Sequence, residues 1–236
     1  MRVLKKLLIF SGVAATLPAL WYTLIAGQAA TTRPFADVFT PHEEFQFDPP
    51  KPGSYTLNRF KTAPDGQVLD VNGQRHSLTA LTRGKINLVS FVYLMCGDEN
   101  GCPIAMSTLF EIHDASQKLP GLREDVQLIT ISFDPARDTV EAINSFAYPL
   151  QIDANADQKL KWHVLTSADL TDLQPILDGF GQVIDRSNDQ EVINHLLRMY
   201  LVDREGIVRN VYGLGTIDPR LLITDVETLL LEESRS

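Results

Sequence analysis

Two nearly continuous apolar runs constrain the fold of this chain more than any other feature: Ile86 to Leu94 (INLVSFVYL) and Val126 to Phe133 (VQLITISF). A strand with one solvated face alternates apolar and polar residues. These runs do not, so each reads as a strand covered on both faces. Between them, Pro103 to Lys118 reads as a helix, with Pro favoured in its first turn and Ala105, Leu109 and Ile112 recurring at helical spacing.

The flanking segments extend the pattern. Gln67 to Val71 and Gln74 to Leu78 surround Asn72-Gly73 and read as an N-terminal β-hairpin, Asn-Gly supplying the two positive-φ positions of a type I′ turn. Asp138 with Glu141 resembles a capping box that opens a helix to about Ala147. Leu170, Leu173, Leu177 and Phe180 mark another helix. Leu196 to Val202 and Ile207 to Tyr212 read as strands joined by the turn Asp203-Arg-Glu-Gly206. Asp218 as N-cap and Pro219 at the first helical position open a last helix through Leu230. There is no internal repeat. The order β-α-β-α, further helix, then β-β-α predicts an α/β, thioredoxin-like fold: a central mixed sheet flanked by helices.

At 236 residues the chain has room for one domain of about 150–200 residues and a short appendage. The appendage is N-terminal. Arg2, Lys5 and Lys6 precede Leu7 to Gly27, which holds no charged residue, and this is the layout of an export signal. Small residues at Ala26 to Ala30 offer a cleavage region, while an apolar run of about 20 residues also suffices to cross a bilayer. Residues 1–30 are therefore expected to be a signal peptide or an N-terminal membrane anchor. Residues 31–55, with Pro34, Pro41, Pro49, Pro50 and Pro52, are expected to be an extended linker, and residues 56–233 the folded domain. In either case the basic end stays cytoplasmic and the rest is exported. Losing Arg2, Lys5 and Lys6, with no acidic residue among the first 30, moves the net charge from −9 to −12. That balance argues against nucleic acid or an anionic membrane surface as a partner. It fits a basic protein partner or a cationic cargo.

The two cysteines of the chain bracket a short acidic loop, Cys96-Gly-Asp-Glu-Asn-Gly-Cys102-Pro103, at a strand-to-helix junction. Functional groups are presented at such places in open α/β sheets. The positive end of a helix favours thiolate at Cys102, and Gly97 and Gly101 let the loop turn sharply. Asp98 and Glu99 disfavour thiolate but attract a cation. A structural disulfide gains most from a long loop, and this one is short. A pure redox couple would favour Cys-x-x-Cys, and a peroxidase of this fold a Thr where Tyr93 stands. Two thiolates with one imidazole would make a soft site suited to copper, whereas zinc generally takes a fourth ligand. Staple, redox couple and metal pair all stay open on these grounds.

Five histidines could supply the imidazole. His42 and His76 fall in the linker and hairpin, His113 lies nearly three turns along the first core helix, and His163 has no assignable position. His195 sits at a strand edge, where a histidine is ordinarily a surface residue. Met95 and Met106 flank the loop, and their apolar surroundings point to core packing.

These motifs together resemble the Sco/SenC family of membrane-tethered, thioredoxin-like copper proteins of cytochrome c oxidase assembly. The matching pieces are Tyr93 running into Cys96 and Cys102-Pro103, Ser132-Phe-Asp134-Pro-Ala-Arg-Asp138-Thr139, and His195 five residues before Tyr200-Leu-Val-Asp203. They cover roughly residues 53–231 in matching order. The resemblance implies copper, as Cu(I) or Cu(II), on Cys96, Cys102 and His195. It implies a metallochaperone for the dinuclear copper centre, working on the periplasmic side of the inner membrane with the copper-bearing oxidase subunit. Another copper chaperone or a thiol–disulfide reductase would be further partners. The alternative is a thiol–disulfide oxidoreductase in which Cys96 and Cys102 are the catalytic pair. Two departures stand out: Cys-x₅-Cys is two residues longer than the family's Cys-x₃-Cys, and Asn194 stands where Asp commonly precedes the histidine. Asp134 matches a family position near the loop, where a helix-cap role and a site role are both open.

Overall fold

The computed structural model describes residues 34–43, 45–94, 102–186 and 193–234, leaving aside the side chains of Cys102 and Asn194. The N-terminal part of the domain carries strands β1 (Lys61–Thr62), β2 (Gln67–Leu69) and β3 (Arg75–Ser77), then helix α1 (Leu78–Thr82). The core unit follows: β4 (Ile86–Val92), α2 (Cys102–Ala115), α3 (Pro120–Arg123), β5 (Val126–Ser132), α4 (Val140–Gln151) and β6 (Lys161–Leu165). Then come α5 (Leu170–Phe180), the two-residue strands β7 (Ile184–Asp185) and β8 (Asn194–His195), β9 (Met199–Val202), β10 (Ile207–Tyr212) and α6 (Pro219–Glu233).

The apolar runs are the two central strands. The main sheet has the order β1-β10-β9-β4-β5-β6, with β4, β5 and β6 parallel and β9 antiparallel to β4. Every residue of β4 and of β5 is buried. Register sorts their side chains onto two faces. Leu88 stands between Leu128 and Leu201, on the face covered by Ala105, Leu109 and Ile112 of α2 and by Leu222, Ile223 and Val226 of α6. One residue on, Val89 stands between Ile129 and Tyr200, on the face covered by Leu173, Ile176, Leu177 and Phe180 of α5. This is the mixed sheet with helices on both faces that the sequence pattern predicts.

Several local expectations need correction. The N-terminal hairpin forms, but its reversal is a turn from Asp70 to Gly73, closed by the Gly73 amide donating to the Asp70 carbonyl at 2.9 Å. Gly73 sits at the end of that turn with φ +75°. The Asp70 carboxylate accepts from the amides of Asn72 and Gln74, so the aspartate and not an Asn-Gly pair sets this turn. The second strand stops at Ser77, which caps α1 by accepting from the Ala80 amide. The long strand expected from Leu196 is only β9, which starts at Met199. The cap of α4 is Thr139, whose side chain accepts from the Ala142 amide, and Asp138 is turned elsewhere. His163, which the sequence could not place, lies on the sheet-edge strand β6.

Residues 34–55 do not stand off as a spacer. Phe39 and Phe45 are buried, the Phe35 amide donates to Glu227, and Arg220 donates to the carbonyls of Phe45 and Phe47. Among the described residues no helix is long and apolar enough to cross a membrane. The expected signal or anchor over residues 1–30 lies outside the described residues.

Candidate metal centre

Hydrogen bonding along β4 and β5 continues one step past the strands, where the Phe133 amide donates to the Val92 carbonyl at 2.9 Å. Beyond that point both chains leave the sheet, at the carboxyl end where α/β folds gather their chemistry. Cys102 is the first residue of α2, the helix N-terminus that the sequence predicts for it. Its sulfur, Cys96 and Met95 lie outside the described residues. Met106 packs against both faces of the core, as expected of a core methionine. Among the described side chains, no three His, Cys, Asp or Glu residues form a metal cluster.

His195 arrives over this end from the other half of the sequence. It pairs with Ile184 in the β7–β8 hairpin, and its ring lies 5.8 Å from that of Tyr93, at 85°, and 4.9 Å from that of Phe133. Tyr93 directly follows β4 and Phe133 directly follows β5, so the imidazole stands above the ends of both central strands. Its Nδ1 is 3.0 Å from the Ile193 carbonyl oxygen. A carbonyl oxygen can only accept, so Nδ1 is the donor in this contact. The Ile193 amide in turn donates to the Tyr93 hydroxyl at 3.4 Å. One residue, Ile193, thus links the chain that bears His195 to the strand that leads to Cys96.

Around this aromatic floor lies a charged shell. The Arg137 guanidinium stands 5.6 Å from the Tyr93 ring centroid and donates through Nε to the Asp134 carboxylate. Arg186 donates to the Phe133 carbonyl, and burial lowers its pKa. Asp134 therefore neither caps a helix nor reaches His195 in any bond described; its carboxylate belongs to Arg137. Asp138, 1% exposed, accepts from the Leu94 amide at 3.0 Å and the Ser132 hydroxyl at 2.5 Å. Burial raises its pKa against the opposing pull of those two hydrogen bonds.

The other histidines are placed away from this end. His113, on α2, packs 5.5 Å from the ring of Trp162. His76 pairs with Asp70 at 2.9 Å, and His42 with Glu111 at 2.9 Å. His163 shares a cavity of about 390 Å³ beside β6 with His76 and His113. Two features escaped sequence reading: the Tyr93–Ile193 link and the Asp138 bridge to Leu94. Both are contacts between segments far apart in the chain, and no local spacing encodes them.

The domain is thioredoxin-like, with a cysteine at the N-terminus of its first core helix and an imidazole over the same sheet end. The SCO1/SenC family description matches residues 56–231, and the chain belongs to that family. A Stutzerimonas stutzeri protein named for copper binding is 33% identical over 91 residues, 38% of this chain and 42% of that relative's length. The fold is shared with Arabidopsis thaliana ScoI, whose structure has copper bound (TM-score 0.56, 20% identity, 73% of this chain and 99% of that one). It is shared also with BsSco, a member of the Sco family of cytochrome c oxidase assembly proteins (TM-score 0.55, 21% identity, 74% and 97%).

Proposed function

We propose that this chain is an exported copper metallochaperone that assists assembly of the dinuclear copper centre of a respiratory cytochrome c oxidase. In this reading the cargo is held by Cys96, Cys102 and His195 on the periplasmic side of the inner membrane. The observation that carries it is the seating of His195 past the ends of the two central strands. Its Nδ1 donates to the Ile193 carbonyl and its ring packs 4.9 Å from that of Phe133, a seating in which Nε2 would be the nitrogen that takes the metal. Metal-binding histidines are commonly oriented this way, by a carbonyl on the other nitrogen. Two thiolates and a neutral imidazole give copper a soft, low-charge donor set in either oxidation state.

The test is copper stoichiometry with visible and EPR spectroscopy on the purified protein. One copper per chain is expected, with a thiolate-to-Cu(II) absorption band. Cys96→Ser should abolish stoichiometric retention, and His195→Ala should change the EPR signal. A Cys96→Ser protein that still holds one copper would sink the reading.

The position of Cys102 favours a second reading, a thiol–disulfide oxidoreductase that reduces the oxidase's own copper-ligand cysteines. A helix N-terminus stabilises thiolate and makes a cysteine there nucleophilic. Here His195→Ala should keep in vivo function while either cysteine variant loses it. Loss in all three returns the assignment to copper.

A further inference from the structure

Asp138 stands where a carboxylate is expensive to keep. It is 1% exposed, and among the described residues no cationic side chain comes within ion-pair distance of it; its partners are a hydroxyl and an amide. Its own backbone is fixed on two sides. The Asp138 amide donates to the Asp134 carbonyl at 2.8 Å, and its carbonyl accepts from the Thr166 hydroxyl at 2.8 Å, just past the end of β6. A carboxylate on so rigid a base has one oxygen, Oδ2, that receives both Ser132, the last residue of β5, and Leu94, the second residue past β4. It therefore bridges the two central strands one step beyond their last ladder bond. The amide it holds is that of Leu94, two residues ahead of Cys96 in sequence, and Leu94 also packs against the cluster of Ile143, Ala147 and Val164. Arg137 and Asp134 are the charged neighbours that face this carboxylate, and they oppose one another.

We propose that Asp138 is a positioning residue for the cysteine loop: through the Leu94 amide it sets where the chain leaves β4 and hence how Cys96 is presented to copper. The inference rests on the copper reading of Cys96, Cys102 and His195. A hydrogen-bonding role predicts that an amide oxygen can replace the carboxylate, because Asn keeps an acceptor at the same distance along the side chain. Ala keeps none. The Leu94 amide then loses its acceptor, and the root of the loop loses its tie to β5.

The experiment compares wild type, Asp138→Asn, Asp138→Ala and Ser132→Ala in the full chain. Three readouts are used: hydrogen exchange of the Leu94 amide and alkylation of Cys96 by iodoacetamide, both on reduced, metal-free protein, and the Cu(II) charge-transfer band of the loaded protein. In Asp138→Ala, Leu94 exchange is expected to speed up about tenfold, the weight of one hydrogen bond, with faster alkylation and a shifted, weaker copper band. Asp138→Asn should stay close to wild type in all three. Ser132→Ala, which leaves the carboxylate with a single anchor, should move them in the same direction by a factor of about 2–3, and it carries the test if Asp138→Ala does not fold. An unchanged Leu94 exchange rate or copper band in Ala and Ser132→Ala variants overturns the proposal. So does an Asn variant as impaired as Ala, which would assign the effect to charge. A wild type that takes up no copper overturns the copper reading instead, while the two metal-free readouts still decide whether Asp138 holds the loop.

Discussion

Asp138 and Asp218 are buried to the same depth, 1% and 0% exposed, yet they are held in opposite ways. Asp218, at the N-terminus of α6, is gripped by Arg220: Nε lies 3.2 and 3.1 Å from its two oxygens and Nη2 2.6 Å from Oδ2. It also accepts from the Arg220 amide at 2.8 Å, so one carboxylate serves as helix cap and counter-ion. The same guanidinium reaches the carbonyls of Phe45 and Phe47, tying the N-terminal segment to α6. Asp138 has no such fork. Where the domain needs a clasp, charge is matched by charge; beside the cysteine loop, a charge is buried against neutral donors. The difference separates a region organised for stability from one that gives up stability to fix a chain in place.

The largest effect should come from breaking the clasp. Asp218→Ala leaves the Arg220 charge buried without its carboxylate and removes the cap. Removing one partner of a buried pair costs about 3–5 kcal/mol. Denaturant midpoints should fall accordingly, whereas copper content per folded molecule should not change. Asp138→Asn, by contrast, should cost little or no stability. Burial raises the Asp138 pKa, so the unfolded chain gives up this proton first and stability is lost as pH rises through that range. The charged form is a liability at neutral pH, and the amide does not carry it. Equal destabilisation by the two substitutions would collapse the contrast.

The histidines extend it to pH. Burial pushes the His163 pKa down to about 4, with Lys161 adding to the shift, against about 6.5 in an unfolded chain. The unfolded state therefore takes up a proton that the native state refuses. Stability is complete above about pH 6.5 and falls as pH drops toward 4, by at most about 3 kcal/mol. Denaturation at pH 7 and pH 4.5 should show a smaller loss for His163→Gln than for wild type, since carboxylates titrate in both. A parallel loss in the two proteins would mean that His163 is charged in the native state.

Much of this architecture was legible because it is written in short-range pattern. The buried runs of β4 and β5, the cap of α6 by Asp218 and Pro219, and Gly206 (φ +81°) closing the Asp203 turn all follow from neighbours in the chain. The spacing of His195 to Tyr200 is what matches it to the family pattern, and the ring stands past the ends of β4 and β5. Less local features were not. Asp138 has the sequence position of a helix cap, but its carboxylate finds Leu94, 44 residues away, because the ends of β4 and β5 meet only in the folded sheet. His163 had no assignable position because its strand is specified by pairing with β5, Ile129 against His163. Residues 34–55 looked like a spacer because their prolines are visible in sequence and the α6 arginine that holds the Phe45 and Phe47 carbonyls is not.

The smallest effect should come from the link between the two halves of the candidate site. Tyr93→Phe removes the hydroxyl that accepts the Ile193 amide at 3.4 Å but keeps the ring against His195 and Phe133. The bond is long and its net worth is about 0.5–1 kcal/mol, so thermal stability should hardly move. The copper site should be more sensitive than the fold. The Ile193 carbonyl that orients His195 belongs to the residue whose amide Tyr93 holds, and releasing the amide lets the imidazole tilt. The expected outcome is a changed Cu(II) EPR signal with unchanged copper stoichiometry. An EPR signal identical to that of wild type would mean that the Tyr93 hydroxyl does not set His195, and that ring packing and the β7–β8 pairing hold it.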